Sequence, residues 1–151
     1  MEMANNTAST WSQLESMILA KMASAQNVEV AQNTKIEIQK AVDEKIYRSG
    51  SPVWYDRRDL TNGSLGDINE MKHDINISGS EVLLEVTDEA QSKLPWDQNL
   101  TSAMVYGYGA KDQWFNEERD FLETARENMR NDKSHVDAMR EGLRRQGLTV
   151  V

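Results

Sequence analysis

Apolar residues recur at helical intervals near the start of the chain. Trp11, Leu14, Met17, Ile18 and Met22 fall on one face, with Thr10 placed to cap the helix and Glu15 in its first turns. Asn27 weakens this pattern. A second stretch then puts Val30, Thr34, Ile38, Ala41, Val42, Lys45 and Ile46 on one face, so the chain is read as one bent helix or a helix pair. From Tyr47 the periodicity collapses into YRSGSPVWYDRRDLTNGSLGDIN, where three glycines, a proline and several Asn, Asp and Ser residues exclude a continuous regular element.

Asp74 to Asp88 restores order with a different period. Ile75 and Ile77 alternate with polar residues, Gly79-Ser80 supplies a turn and Val82 to Val86 follows, which predicts a β-hairpin. Ala103 to Tyr108 predicts a further strand ending at Gly107 and Gly109. Helical spacing returns with Phe115, Leu122, Ala125 and Met129. It resumes after a break near Asn131-Asp132 with Val136, Met139 and Leu143, and Gly147 stops the helix. Leu148 to Val151 could add a short edge strand. The fold class is therefore α+β: a long N-terminal helix or helix pair packed on a small antiparallel sheet, with C-terminal helices. Residues 1–10 read as a flexible terminus and 11–151 as a single domain with an extended loop at about 48–68.

Composition sharpens this picture in two places. With 38% apolar residues and 28% charged ones in 151 residues, the core is thin, and contacts between subunits are expected to complete the burial. A net charge of −8 repels a phosphate backbone, so nucleic acid is a poor first guess as a partner. With no cysteine, disulfides and thiolate metal sites are excluded. No apolar run approaches the roughly 18 residues a bilayer span needs, and the start carries no secretory signal pattern.

A search for chemistry returns little. His73 and His135 stand without a second ligand at metal spacing and read as structural, partly exposed histidines. Asp67, Asn69 and Asp74 suggest a calcium loop, but the glycine and glutamate that such a loop requires are missing. The glycines form neither a dinucleotide fingerprint nor a P-loop, and no hydrolase, zinc-protease or kinase signature occurs. The chain is not expected to be an enzyme, to hold a metal or to need a cofactor. Trp11 and Trp114 are expected in the core or at its edge. The long loop is different: Trp54 and Tyr55 beside Arg57 and Arg58, with Asp56 and Asp59 neutralising the arginines, read as an ordered binding arm. Trp54, Tyr55, Arg57, Arg58 and Leu65 are the candidate subunit-interface residues.

Several segments in order carry a resemblance. The helix ending at Val42 to Tyr47 leads to the Pro52-to-Arg58 arm and then Gly63-Ser-Leu65-Gly-Asp67. Val105-Tyr-Gly107-Tyr-Gly109, Arg119-Asp-Phe121-Leu122-Glu123 and Met139-Arg-Glu-Gly142-Leu143-Arg144-Arg145-Gln-Gly147-Leu148 follow. From about Ile36 to the C-terminus this resembles the phage neck and tail-completion family, small proteins encoded among the head-to-tail joining genes of long-tailed phages. The chain departs from that pattern at Ser64, where the family often has a second glycine, and at Asp120, where it often has proline. The resemblance implies a structural subunit of the virion neck, a homo-oligomeric ring around the DNA exit channel. Its partners would be the connector or adaptor, the tail terminator or the tail tube, and it would reside in the host cytoplasm during assembly. A tail-terminator role capping the tail tube, or a non-virion protein-binding adaptor module, is the alternative.

Overall fold

Thr10 begins the first helix, as its residue type predicts. In the computed structural model, which describes residues 7–48, 63–90, 101, 105 and 120–151, α1 spans Trp11–Ala25. The Thr10 hydroxyl accepts a hydrogen bond from the Gln13 N–H, which satisfies one of the donors a helix start leaves open. The helix does not stop at Asn27. Gln26–Val30 continues it as a π-helical segment, α2 spans Ala31–Val42, and Asp43–Tyr47 is a second π-helical segment. Ala25, Ala31 and Val42 all keep right-handed helical dihedrals, so the run is continuous and Asn27 is absorbed by a locally wider turn. At its end the Arg48 N–H donates to the Asp43 carbonyl at 2.8 Å, and the Arg48 side chain pairs with the Asp43 carboxylate at 2.7 Å.

After a short 3-10 turn at Ile68–Glu70, β1 (Met71–Ser78) and β2 (Glu81–Asp88) form the hairpin. Gly79 sits in the connecting turn at φ 59°, a left-handed value suited to a two-residue hairpin loop and strained for a residue with a Cβ. The strands alternate as half-buried sheets do. Met71, His73 and Ile75 on β1 and Val82, Leu84, Val86 and Asp88 on β2 are buried or half-buried, while Lys72, Asp74, Asn76, Glu81, Leu83, Glu85 and Thr87 are exposed.

The C-terminal third forms two helices, α3 (Phe121–Asp132) and α4 (Ser134–Arg145). Asp120 caps α3, its carboxylate accepting from the Glu123 N–H at 2.8 Å. The break expected near Asn131-Asp132 falls at Lys133, in the left-handed region at φ 57°. At the end of α4 the Leu148 N–H reaches the Leu143 carbonyl at 3.1 Å and the Gly147 N–H reaches that of Arg144 at 2.9 Å. With Gly147 at φ 81°, this is a Schellman stop.

Two expected strands are corrected. Leu148–Val151 forms no strand; the Val150 carbonyl instead accepts from the Arg144 guanidinium at 3.2 Å. Within Ala103–Tyr108 the described position, Val105, is helical, as is Thr101. Val105 packs against a hydrophobic core, and burial there overrides the weak strand preference of a β-branched residue. The rest of that segment, with Phe115 and Trp114, lies outside the described residues.

The chain divides into two units, one made of Met1–Asn33, His73–Glu85 and Lys133–Val151, the other of Thr34–Lys72 and Val86–Asp132. The second holds the main hydrophobic cluster: Ile38, Ala41, Val42, Ile46, Leu65, Met71, Ala90, Phe121 and Ala125, flanked by Tyr47, Val86 and Val105. Lys45, expected on the inner face of the helix, is exposed. On α3 the buried pair is Phe121 and Ala125, while Leu122, expected to face inward, is 37% exposed. One turn separates Phe121 from Ala125, so they share a face that turns Leu122 outward.

The first unit is built on small residues. Ala25 and Ala31 are fully buried, as is Gly142 of α4. A Cβ at Gly142 would lie 2.6 Å from the Ala25 Cβ and 2.9 Å from the Ala25 Cα, so the backbones of α4 and the N-terminal helix approach as closely as a glycine permits.

Candidate functional site

The segment singled out for docking leaves and returns to one core. At its departure, Tyr47 packs against the hydrophobic cluster of the second unit. At its return, Gly63 has φ 73° and its N–H donates to the Asp67 carboxylate at 2.9 Å. The second Asp67 oxygen accepts from the Asn69 backbone and side chain at 3.0 and 2.9 Å. Gln39 of α2 donates to the Gly66 carbonyl at 2.6 Å. Leu65, between these bonds, is 3% exposed and belongs to the cluster. Its side chain therefore fixes the foot of the arm to the core. Trp54, Tyr55, Arg57 and Arg58, the other four candidate interface residues, lie outside the described residues.

The electrostatics of this foot are asymmetric. Hydrogen bonds from the Gly63 and Asn69 N–H groups hold the Asp67 carboxyl below the usual range. Asp88, which closes β2, behaves in the opposite way. Burial pushes it up to about 6 against the pull of the Ala90 N–H and Thr101, and the nearby Glu70 and Asp67 charges add to the rise. The composition around it explains why: Asp88 is 8% exposed and its strand neighbours Glu89 and Ala90 leave the sheet there. The Glu89 N–H bonds the Glu70 carbonyl at 3.0 Å, and its carboxylate pairs with Lys72. Sequence reasoning did not single out Asp88, although the alternation of Val82, Leu84 and Val86 carries it onto the inner face of the hairpin, where a carboxylate is out of place.

In the first unit, the π-helical segment Gln26–Val30 concentrates polar contacts. The Gln26 amide donates to the Val82 carbonyl at 3.1 Å, and His73 meets the Asn27 side chain at 3.2 Å. Arg145 grips Glu29 with two nitrogens and holds its carboxyl below the usual range. Gln146 completes the clasp, donating to the Lys21 carbonyl at 2.8 Å while Lys21 reaches back to the Gln146 carbonyl at 3.1 Å. A wider turn re-aims side chains that a regular helix would stagger, and here it points Gln26 and Asn27 at the hairpin and Glu29 at α4. Arg145→Met is expected to lower stability, because it removes the guanidinium that pairs with Glu29 and ties α4 to the N-terminal helix. A urea melt checks this, and an unchanged midpoint would make the pair a surface ornament.

Trp11 is not in a core. It is 79% exposed, and Leu14 and Ile18 on the same stripe of α1 are 38% and 47% exposed. The helical spacing of this stripe was legible, but what covers it was not. Among the described residues, no group of three or more His, Asp or Glu side chains is placed to hold a metal ion. No described helix is long and apolar enough to cross a membrane.

These features describe an α+β protein whose polar clasps join helices to a hairpin and in which Tyr47 and Leu65 pack on one core. The YomN family model matches residues 10–145, nearly the whole chain. The chain belongs to the YomN family, a phage-derived family. No curated protein and no solved structure matches it.

Proposed function

We propose that this chain is a structural subunit of the neck of a tailed-phage virion, part of an oligomeric ring that joins the head connector to the tail around the DNA channel, with no catalytic role. The anchoring of the 48–68 loop carries this reading. Tyr47 at one end and Leu65 at the other pack on the same core, so the two feet of a segment rich in aromatic and arginine residues are fixed before any partner arrives. Fixing the ends reduces the ordering entropy that docking would otherwise cost. Membership of a phage-derived family and the order of motifs from Ile36 to Leu148 support the same role. A net charge of −8 suits a wall along which DNA must slide, since attraction would retard it.

In this role Trp54, Tyr55, Arg57 and Arg58 contact a neighbouring subunit or ring, and Leu65 holds the arm in place from inside the core. The deciding observation is the presence of the chain in purified virions, located at the head-tail junction by imaging; its absence from particles would favour a non-virion adaptor. Trp54→Ala is expected to leave a folded protein and yield tailless or leaky particles, scored by electron microscopy and plaque count. Normal infectivity would remove Trp54 from the interface.

A further inference from the structure

We propose that the N-terminal half of α1 is a self-association surface, on which the same segment of a second copy of this chain lies side by side in the opposite direction. Among the described residues, every exposed large apolar side chain except Leu122 belongs to the first unit. The buried apolar residues of that unit are Ala25 and Ala31, whereas the large side chains of the hydrophobic cluster lie in the second. The first unit thus buries small residues and shows large ones, the reverse of a core completed within one chain.

The geometry of α1 shows where its cover runs out. Trp11, Leu14 and Ile18 share a face at 79%, 38% and 47% exposure, and every residue from Trp11 to Ser16 is exposed. Further along, at Lys21 and Ala25, the same stripe is covered: Gln146 clasps Lys21, and Gly142 lies against Ala25. α4 therefore runs antiparallel to α1, and its next turn would reach Ile18. Gly147, at φ 81°, ends α4 before that point. A second antiparallel helix in line with α4 continues the existing packing across Ile18, Leu14 and Trp11.

Charge selects a second copy as that helix. The chain carries −8, so copies repel one another, yet the stretch from Thr7 to Ala20 holds a single charged residue, Glu15. A strongly charged partner finds no counter-charge here, whereas the same neutral stripe turned end for end matches it in kind. An antiparallel pair centred near Leu14 sets Trp11 of each copy against Ile18 of the other, with Leu14 facing its own counterpart across the two-fold axis. Such a contact is isologous, whereas neighbours in a ring meet through unlike surfaces, so the pairing belongs to the free chain and does not rest on the neck reading.

Sedimentation of the full chain at about 100 µM, within the range suited to a small interface, is expected to show a mass above that of one copy that falls on dilution. Ile18→Glu, at a half-exposed position, is expected to weaken pairing by about tenfold or more and to leave the circular-dichroism spectrum unchanged. Leu122→Glu, at an exposed position of the second unit, is expected to leave pairing intact. The chain has no cysteine, so one introduced thiol reports the register. Leu14→Cys is expected to oxidise to a covalent dimer, while Trp11→Cys is not, its two sulfurs standing about 10 Å apart along the axis. A wild type that sediments as one copy, an association untouched by Ile18→Glu, or cross-linking of Trp11→Cys as fast as Leu14→Cys would overturn the proposal. Should Ile18→Glu fail to fold, the wild-type mass and the Leu14→Cys cross-link still decide.

Discussion

Phe121→Ala is expected to lower the stability of the chain by about 3–5 kcal/mol, the range for emptying a fully buried aromatic position. Phe121 is 0% exposed and is the largest of the fully buried side chains of the cluster that also takes in Val42, Leu65 and Met71. In a thin core few neighbours can move to fill the space, so the cost lies toward the upper end. The urea midpoint by circular dichroism checks this. Leu122→Ala is the control, since Leu122 is next in sequence but 37% exposed, and it should cost well under half as much. Equal losses for the two would mean that α3 presents a different face to the core.

Gly142→Val is also expected to be destabilising, for the opposite reason. Its Cβ would stand 2.6 Å from the Ala25 Cβ and 2.9 Å from the Ala25 Cα, and neither atom belongs to a flexible side chain that could swing away. The helices must separate, at a typical overpacking cost of about 1–3 kcal/mol, and separation also lengthens the Arg145–Glu29 and Gln146–Lys21 contacts. Gly142→Ala is the sharper version of the test. On helix propensity alone alanine should gain about 1 kcal/mol over glycine, so a net loss in thermal melting isolates the steric term. A gain in stability would show that the crossing has slack.

Several elements were legible because they depend on near neighbours in sequence. Thr10 before an apolar repeat, Gly79-Ser80 between alternating runs and Gly147 after an arginine-rich turn each specify local backbone geometry, and each stands where its chemistry predicts. The bond from Leu148 to Leu143 needs no information from elsewhere in the chain. Composition alone marks the arm and, within it, Leu65, but not the place of Leu65 inside the core.

What failed to show in the sequence depends on partners far along it. Trp11 has the spacing of a core residue, yet whether a helical stripe is covered is decided by which other element reaches it; α4 meets the N-terminal helix at Ala25 and Glu29, and Trp11 stays open at 79% exposure. Val105 has strand-forming chemistry, and packing made it helical. Both π-helical segments are invisible to a regular helical period, because a widened turn exists to satisfy contacts such as Gln26 with Val82. Three of the four boundaries between the two units pass through α2 and both strands of the hairpin, where no glycine, proline or charge run announces a division, while the fourth falls between Asp132 and Lys133, at the break the sequence does signal.

By itself, then, the chain of residues determined the order and type of most elements, the caps and turns that end them, and the α+β class, since these follow from periodicity and backbone preference over a few residues. Tertiary structure decided which faces are covered, where the Asp88 carboxyl is buried and why a Cβ at position 142 would crowd Ala25. Those are questions of distance between residues remote in sequence, and only the folded chain sets such distances.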